Sequence, residues 1–427
     1  MRLKTFFASL ASLASLAQAA ETPLVTLSQA YEMTSISSEQ IRMAKESLIQ
    51  AELLTPRAFA RVAPQISLGG TFFHQKELVQ SFGSVVVPAN QQVYSASLNW
   101  PLLQFEFIPR YSQGGAVVES KQAYVEFVTQ RTLYGVALSY YTVLKSRRLT
   151  GLAQEFQRQA QEHFRVAKAK FEQGEVRKTV MIQAELDVER AKKRLIEQDN
   201  NVKVAKEELR SALSLTLQDF DVQDPPALTW PADISPQTTL NELVDFALTH
   251  RPDARQAELD IKSAWADKEA AFTRVLPTAG IQAGYSVTDP QTVFSQREQW
   301  RVGAVVNIPL FQGGEEWLAQ SDQASRARQT EMVREAMTKQ IEIDVKKAYY
   351  AWQVLEKNLE VLKKQVELSR ENYRMVENQF KEGLASSSEV TDAHVGLINA
   401  EVELVQERYN YQLAILTLLK TLGIFRP

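Results

Sequence analysis

A mainly α-helical fold with a smaller membrane-type β component is predicted by three features of this 427-residue sequence: an internal duplication, four segments that alternate with period two, and long heptad seams. The duplication comes first because it organises the rest. Residues 26–64 align without a gap on 239–277 at an offset of 213, so Thr26-Leu27 meets Thr239-Leu240 and Arg61-Val62-Ala63-Pro64 meets Arg274-Val275-Leu276-Pro277. The offset falls to 208 where Asn99-x-Pro101-Leu102 meets Asn307-x-Pro309-Leu310. It is 209 where Tyr140-Tyr141 meets Tyr349-Tyr350 and Phe171-x-x-Gly174 meets Phe380-x-x-Gly383. Offsets that change only within loops mean two copies of one structural unit, and such units stack or close around an axis.

Residues 1–19 read as a secretory signal, with Arg2 and Lys4 before an apolar run from Phe6 to Leu16 and a small-x-small site at Ala17-Gln18-Ala19. The run is too short to span a bilayer as a helix. The first repeat then occupies 20–218, a proline-rich linker 219–239, and the second repeat 240–427. Each repeat opens with a helical segment of about 35–40 residues that ends at Pro64 or Pro277.

The strands follow, as hairpins over 65–100 and 278–308. Ile66, Leu68, Gly70 and Phe72 alternate with Ser67, Gly69 and Thr71, and the return strand sets Tyr94, Ala96, Leu98 and Trp100 against Ser95, Ser97 and Asn99. In the second repeat Ile281, Ala283, Tyr285 and Val287 oppose Gln282, Gly284, Ser286 and Thr288, and Trp300, Val302, Ala304 and Val306 oppose Arg301, Gly303, Val305 and Asn307. Period two gives each strand one apolar and one polar face. Residues 75–91 and 289–299 are expected to be hairpin loops.

Long helices complete each repeat. Ile341, Val345, Ala348, Trp352, Leu355, Leu359, Leu362, Val366, Tyr373, Val376 and Phe380 step by fours and threes with one skip at Ser369, the spacing of supercoiling helices. Beyond Gly383 a second seam runs Val390, Leu397, Leu404, Tyr411 and Leu418. At 1.5 Å per residue, the stretch between Gly314 and Gly383 makes a rod of roughly 100 Å, and that between Gly115 and Gly174 one of roughly 90 Å.

Composition excludes several functions. Without Arg2 and Lys4, 46 basic residues face 51 acidic ones, a net charge of −5 that argues against a nucleic-acid partner. There is no cysteine, so disulfides, thiolate metal sites, cysteine catalysis and lipid attachment at an N-terminal cysteine are excluded. His74, His163, His250 and His394 are isolated in sequence, and no nucleophile elbow, P-loop or GxGxxG occurs. The expectation is therefore no enzyme, no metal site and no cofactor.

Four amphipathic strands cannot close a barrel, and open edges in lipid leave backbone groups unpaired at several kcal/mol each. If the strands enter a membrane, several chains must share one barrel. The competing reading is a periplasmic coiled-coil scaffold or adaptor that never enters a membrane.

The order helix, hairpin, long helix, Gly turn, helix, performed twice, resembles the TolC-like outer-membrane efflux proteins. Asn307-Ile308-Pro309-Leu310-Phe311-Gln312-Gly313-Gly314 is similar to that family's strand-to-helix junction, with Asn99 and Pro101 at the first-repeat counterpart. Phe380-x-x-Gly383, Ser386-Ser387-Ser388-Glu389-Val390 and Ala393 are similar to its hairpin turn. The resemblance covers about residues 21–425. It implies a homotrimer whose twelve strands form one barrel in outer-membrane lipid, continued into the periplasm as an α-helical tunnel. It also implies a passive duct that takes its cargo from an inner-membrane transporter and a periplasmic adaptor, in efflux or type I secretion, with the transporter selecting the cargo.

By the same resemblance the tunnel closes at its periplasmic tip, where Gly174 and Gly383 turn the two hairpins. Glu389 and Asp392, six and nine residues past the second turn glycine, are then a pore constriction, three copies of each making a negative ring. The competing role for both carboxylates is to complement the dipole at a helix start. Some relatives latch the tip with a charged pair whose positions here hold Ala385 and Val180. A substitute pairing of Arg177 or Lys178 with Glu382 or Glu389 across neighbouring hairpins, suggested by their closeness to the two turns, is the expectation in its place. The first junction lacks the Gly-Gly of the second, and Pro109 sits where a helix could begin.

Overall fold

The structure is a computed structural model that describes residues 24–81, 83–214, 220–225, 239–291 and 296–425. The signal segment 1–19 and most of the linker 219–239 lie outside the described residues. The first repeat runs β1 (Leu24–Val25), α1 (Leu27–Ser37), α2 (Glu39–Glu52), α3 (Leu54–Val62), β2 (Gln65–His74), β3 (Val79–Ser81), β4 (Ser84–Val87), β5 (Asn90–Leu103), α4 (Phe107–Glu172) and α5 (Lys178–Ala212). After it come β6 (Asp221–Val222), α6 (Leu240–His250), α7 (Pro252–Phe272), β7 (Thr278–Asp289), β8 (Glu298–Asn307), α8 (Glu315–Lys381) and α9 (Ser387–Thr421). No helix among the described residues is long and apolar enough to cross a membrane.

The chain divides into two compact units, one drawn from 43–127 and 248–341 and the other from 1–42, 128–247 and 342–427. The first of these holds a four-stranded antiparallel sheet in the order β2-β5-β7-β8, with the two repeat hairpins side by side and β2 and β8 outermost. Register sorts its side chains. Ile66, Leu98, Ala283 and Val302 form one row across all four strands, and Leu68, Ala96, Tyr285 and Trp300 another. The intervening rows hold Ser67, Ser97, Gly284 and Arg301, and Gln65, Asn99, Gln282 and Gly303. Successive residues point to opposite faces, so one face is apolar and the other polar. Ile66, Leu68, Trp300 and Val302 are 66–83% exposed within the single chain.

The sheet departs from expectation at its loops. A small hairpin, β3 with β4, occupies the middle of 75–91, and β5 already begins at Asn90. In the second repeat the strands run on to Asp289 and resume at Glu298.

The opening helical segments are broken rather than continuous. In the first repeat the hydroxyls of Thr34, Ser35 and Ser37 bond back to carbonyls four residues earlier, and Ser38 turns extended (ψ 123°) between α1 and α2. In the second, Pro252 forces Arg251 into an extended conformation and starts α7.

α4 also starts earlier than Gly115, at Phe107, with Pro109 in its first turn where no intrahelical N–H is needed. Gly114 is not a breaker there. A Cβ on it would stand 2.9 Å from Thr55 Oγ1, so the glycine lets α3 lie against α4. Arg110 ties the same region together, 3.0 Å from Glu106 and 2.7 Å from Asp267 of α7.

The other unit packs around the middle of α4. Tyr140, Tyr141, Val136, Ala137, Val143 and Leu144 are buried with Tyr31, Leu209, Leu213, Phe220 and Leu416. The Tyr140 hydroxyl lies 2.8 and 2.6 Å from the carbonyl oxygens of Val25 and Gln223, next to the short parallel pair β1-β6. From Val345 to Phe380, each residue of the first heptad seam is buried or half-buried, as is each residue of the α9 seam.

Candidate functional site

The hairpin turns lie in the helical unit. At each one a glycine adopts a left-handed conformation, Gly174 at φ 77° and Gly383 at φ 79°. The amide of Gly174 bonds to Phe171 O at 2.9 Å and that of Glu175 to Lys170 O at 2.9 Å; Gly383 to Phe380 and Leu384 to Gln379 repeat the pattern at 3.1 and 2.8 Å. This is a Schellman close, which satisfies the last carbonyls of α4 and α8 and reverses the chain.

The two turns re-enter a helix differently. Ser386 caps α9, its Oγ accepting from Glu389 N at 3.3 Å, while Glu389 Oε2 accepts from Ser386 N at 2.6 Å and from Ser386 Oγ at 2.8 Å. This capping box holds the Glu389 carboxyl below its usual range, chiefly through the Ser386 backbone N–H. The N-cap of α5 is Arg177, whose side chain makes no cap bond. Asp392 lies one turn beyond Glu389. Both are exposed and line a groove of about 370 Å³ between α8 and α9, with Ser369, Asn372, Val376 and Gly396.

At the junctions, Asn99 faces Gln65 and Gln282 in the sheet, and Pro101 sits where the β5–β7 register shifts, so its missing N–H interrupts no regular ladder. Asn307 ends β8 opposite Thr278, Pro309 follows, and Gly313 and Gly314 both have positive φ (72° and 84°) immediately before α8.

Within one chain Glu389 is engaged by its own N-cap, and Arg177 offers its helix no side-chain cap bond. Several contacts join the two hairpins within the chain. Lys170 Nζ of α4 donates to the carbonyls of Phe380 and Lys381 at 3.0 and 3.1 Å and lies 5.1 Å from the Phe380 ring. Thr391 Oγ1 of α9 donates to Asp187 Oδ2 of α5 at 3.0 Å. The Nε2 of His394 lies 2.9 Å from Gln159 Oε1 of α4. A cation at the carboxyl end of a helix is favourable to its dipole, so Lys170 serves α8 in that capacity.

His163 and His394, isolated in sequence, both pack on α8 here, His163 against Phe380 and His394 against Tyr373. No spacing motif could have revealed this, because the residues come from separate repeats. Among the described residues no group of three or more His, Asp or Glu side chains is disposed to hold a metal ion.

Comparison with known proteins agrees with this geometry. The sequence profile of the outer membrane efflux protein family matches residues 57–214 and 243–424. Nodulation protein T of Rhizobium leguminosarum bv. trifolii is 21% identical over 372 residues, covering 86% of this chain and 78% of that protein. Alkaline protease secretion protein AprF of Pseudomonas aeruginosa is 22% identical over 322 residues, covering 75% and 67%. Among solved structures, CusC superposes with a TM-score of 0.80 at 18% identity, covering 96% of this chain and 95% of its own. The Campylobacter jejuni CmeC outer membrane channel gives 0.79 at 16% identity, covering 96% and 91%. The duplicated hairpins, the amphipathic sheet and the profile match along both repeats place this chain in the outer membrane efflux protein family.

Proposed function

We propose that three copies of this chain form one outer-membrane channel, a passive duct that receives cargo from an inner-membrane transporter through a periplasmic adaptor and is gated at the hairpin turns. The observation that carries this reading is the sheet. Its four strands expose an apolar face and a polar face, and β2 and β8 stand at its edges. Joining β8 of one copy to β2 of the next satisfies those edges, puts the apolar face in lipid and the polar face on a wet lumen. Three copies supply twelve strands. A scaffold confined to the periplasm has no use for such a sheet.

The helices support the same assembly. On α8, Val354, Val361, Leu368 and Met375 recur every seventh residue and are each 50–65% exposed, on a different face from the buried seam. On α5, Ile182, Leu186 and Ile196 are likewise exposed. Two unlike apolar stripes on one chain suit a head-to-tail ring of copies, which is how a rotational assembly closes.

Val302→Arg, on the apolar face, is expected to cost about 2–4 kcal/mol at mid-bilayer depth and to abolish the detergent-extracted trimer seen by light scattering. Ser97→Lys, on the polar face, is expected to leave that trimer intact. Assembly of the Val302→Arg protein at the wild-type level would refute the barrel.

Glu389 and Asp392 form the proposed constriction. Glutamine can keep a capping box, so Glu389→Gln with Asp392→Asn removes ring charge while sparing the start of α9. In planar bilayers this double variant is expected to conduct more and to prefer cations less. Unchanged selectivity would leave both carboxylates with helix-start roles alone.

A further inference from the structure

Near the turns, all four long helices contribute to one buried contact. His394 of α9 stacks on Tyr373 of α8 (5.0 Å between centroids, 28° between planes) and stands edge-on to Phe156 of α4 at 6.3 Å. His163 of α4 packs on Phe380 of α8 at 5.5 Å, and its Nε2 is buried without a hydrogen-bond partner. Gln159 of α4 is joined to His394, and Asp187 of α5 to Thr391 of α9. The contact thus sits between the first hairpin and the second, not within either.

We propose that His163 and His394 make the join between the two hairpins acid-sensitive, proton uptake at this cluster parting α4 from α9 and easing the turns open.

The geometry leaves little room for a charge. A proton on His163 would place a donor at a buried Nε2 that has no acceptor, and protons on both rings would add two like charges that repel. The charged groups facing them are few. From α8, Glu377 faces both rings and is already paired with Lys381 at 3.1 Å, and Tyr373 presents its ring. From α5, Asp187 is held by Arg190 and Thr391 and shares a groove of about 330 Å³ with Arg190, Lys193, Arg194, Glu197 and His394. On α4 itself Glu162 and Arg165, flanking His163, pair with each other at the surface.

Burial pushes His163 below the ordinary histidine value, and burial together with His163 pushes His394 down to about 4, with Asp187 and Glu377 opposing. The closed contact therefore binds fewer protons than a parted one. It is fully favoured above the ordinary value near 6.5 and weakens as pH falls from there towards 4. For His394 alone, that difference moves the open-to-closed ratio about 30-fold at pH 5.

The test is amide hydrogen exchange of the full protein in detergent at pH 7.5 and 5, corrected for intrinsic exchange, with 130–145 as internal control. It reads the chain itself, so it stands or falls apart from channel assembly, and only the link to opening rests on the proposed gating. Protection in 156–165 and 390–398 is expected to fall at least tenfold in wild type. In His163→Gln/His394→Gln, whose side chains keep their donors but cannot titrate, it should fall less than twofold. If the double variant already loses protection over 130–145 at pH 7.5, His394→Gln alone takes its place and should cut the acid response at least fivefold. Equal loss in wild type and variant, no loss in wild type, or greater protection in acid overturns the proposal.

Discussion

The two repeats begin from one template and end in different employment. Tyr140 and Tyr141 of the first repeat are 0% and 1% exposed, whereas Tyr350, which aligns with Tyr141, is 55% exposed. The first repeat's long helix is the centre of a core, gripped by β1, β6, α1 and α9 residues. The second repeat's long helix buries one seam and leaves a second apolar stripe uncovered. The difference teaches that duplication kept the order of elements while burial was redistributed, one copy becoming internal support and the other leaving an apolar stripe exposed on the single chain.

The sharpest way to break that comparison is to truncate one tyrosine from each of the two aligned Tyr-Tyr pairs. Tyr140→Ala removes a buried ring and leaves the Val25 and Gln223 carbonyls without their hydroxyl, and is expected to cost about 3–5 kcal/mol. Tyr350→Ala at its exposed position should change unfolding by less than about 0.5 kcal/mol. Denaturant titration of both proteins checks this, and equal losses would mean that the two repeats share the core evenly.

The turns come next, where the repeats are expected to agree. Gly174→Ala and Gly383→Ala each force a side chain into a left-handed conformation, at about 1–2 kcal/mol. Neither added methyl group would touch a neighbour, so thermal melts should show closely similar losses. A marked inequality would reveal strain confined to one turn.

The smallest effect separates the helix starts. Ser386→Ala should cost about 1 kcal/mol by dismantling the capping box, while Arg177→Asp should stabilise α5 by a similar or smaller amount. Local amide exchange of the first turns of α5 and α9 measures both. Destabilisation by Arg177→Asp would show that Arg177 serves a contact outside its own helix.

Much of this molecule was legible in advance because its signals are local and periodic. Alternation at 66–72 and 281–287 marks strand faces whatever lies beside them, and a four-three repeat from Val345 to Phe380 needs a partner helix along one side. The breaks in the opening helices were less legible, since they depend on how Thr34, Ser35 and Ser37 spend their hydroxyls. The start of α4 ahead of Gly115 was not legible either, since the closeness of Gly114 to Thr55 cannot be seen in sequence.

Glu389 shows where the limit falls at the candidate site. Its spacing to Ser386 was plain, and its capping role follows from three residues of sequence. Lys170 and the histidines carried no such mark. By itself the sequence determined the duplication, the two-faced strands, the heptad seams and the glycine turns, all fixed by contacts within a few residues or by a repeating period. Only the tertiary structure decided that Lys170 would cap α8, that Thr391 would reach Asp187 and that His394 would reach Gln159. Those partners lie roughly 200 residues or more apart in the chain, and nothing local to either one encodes the other.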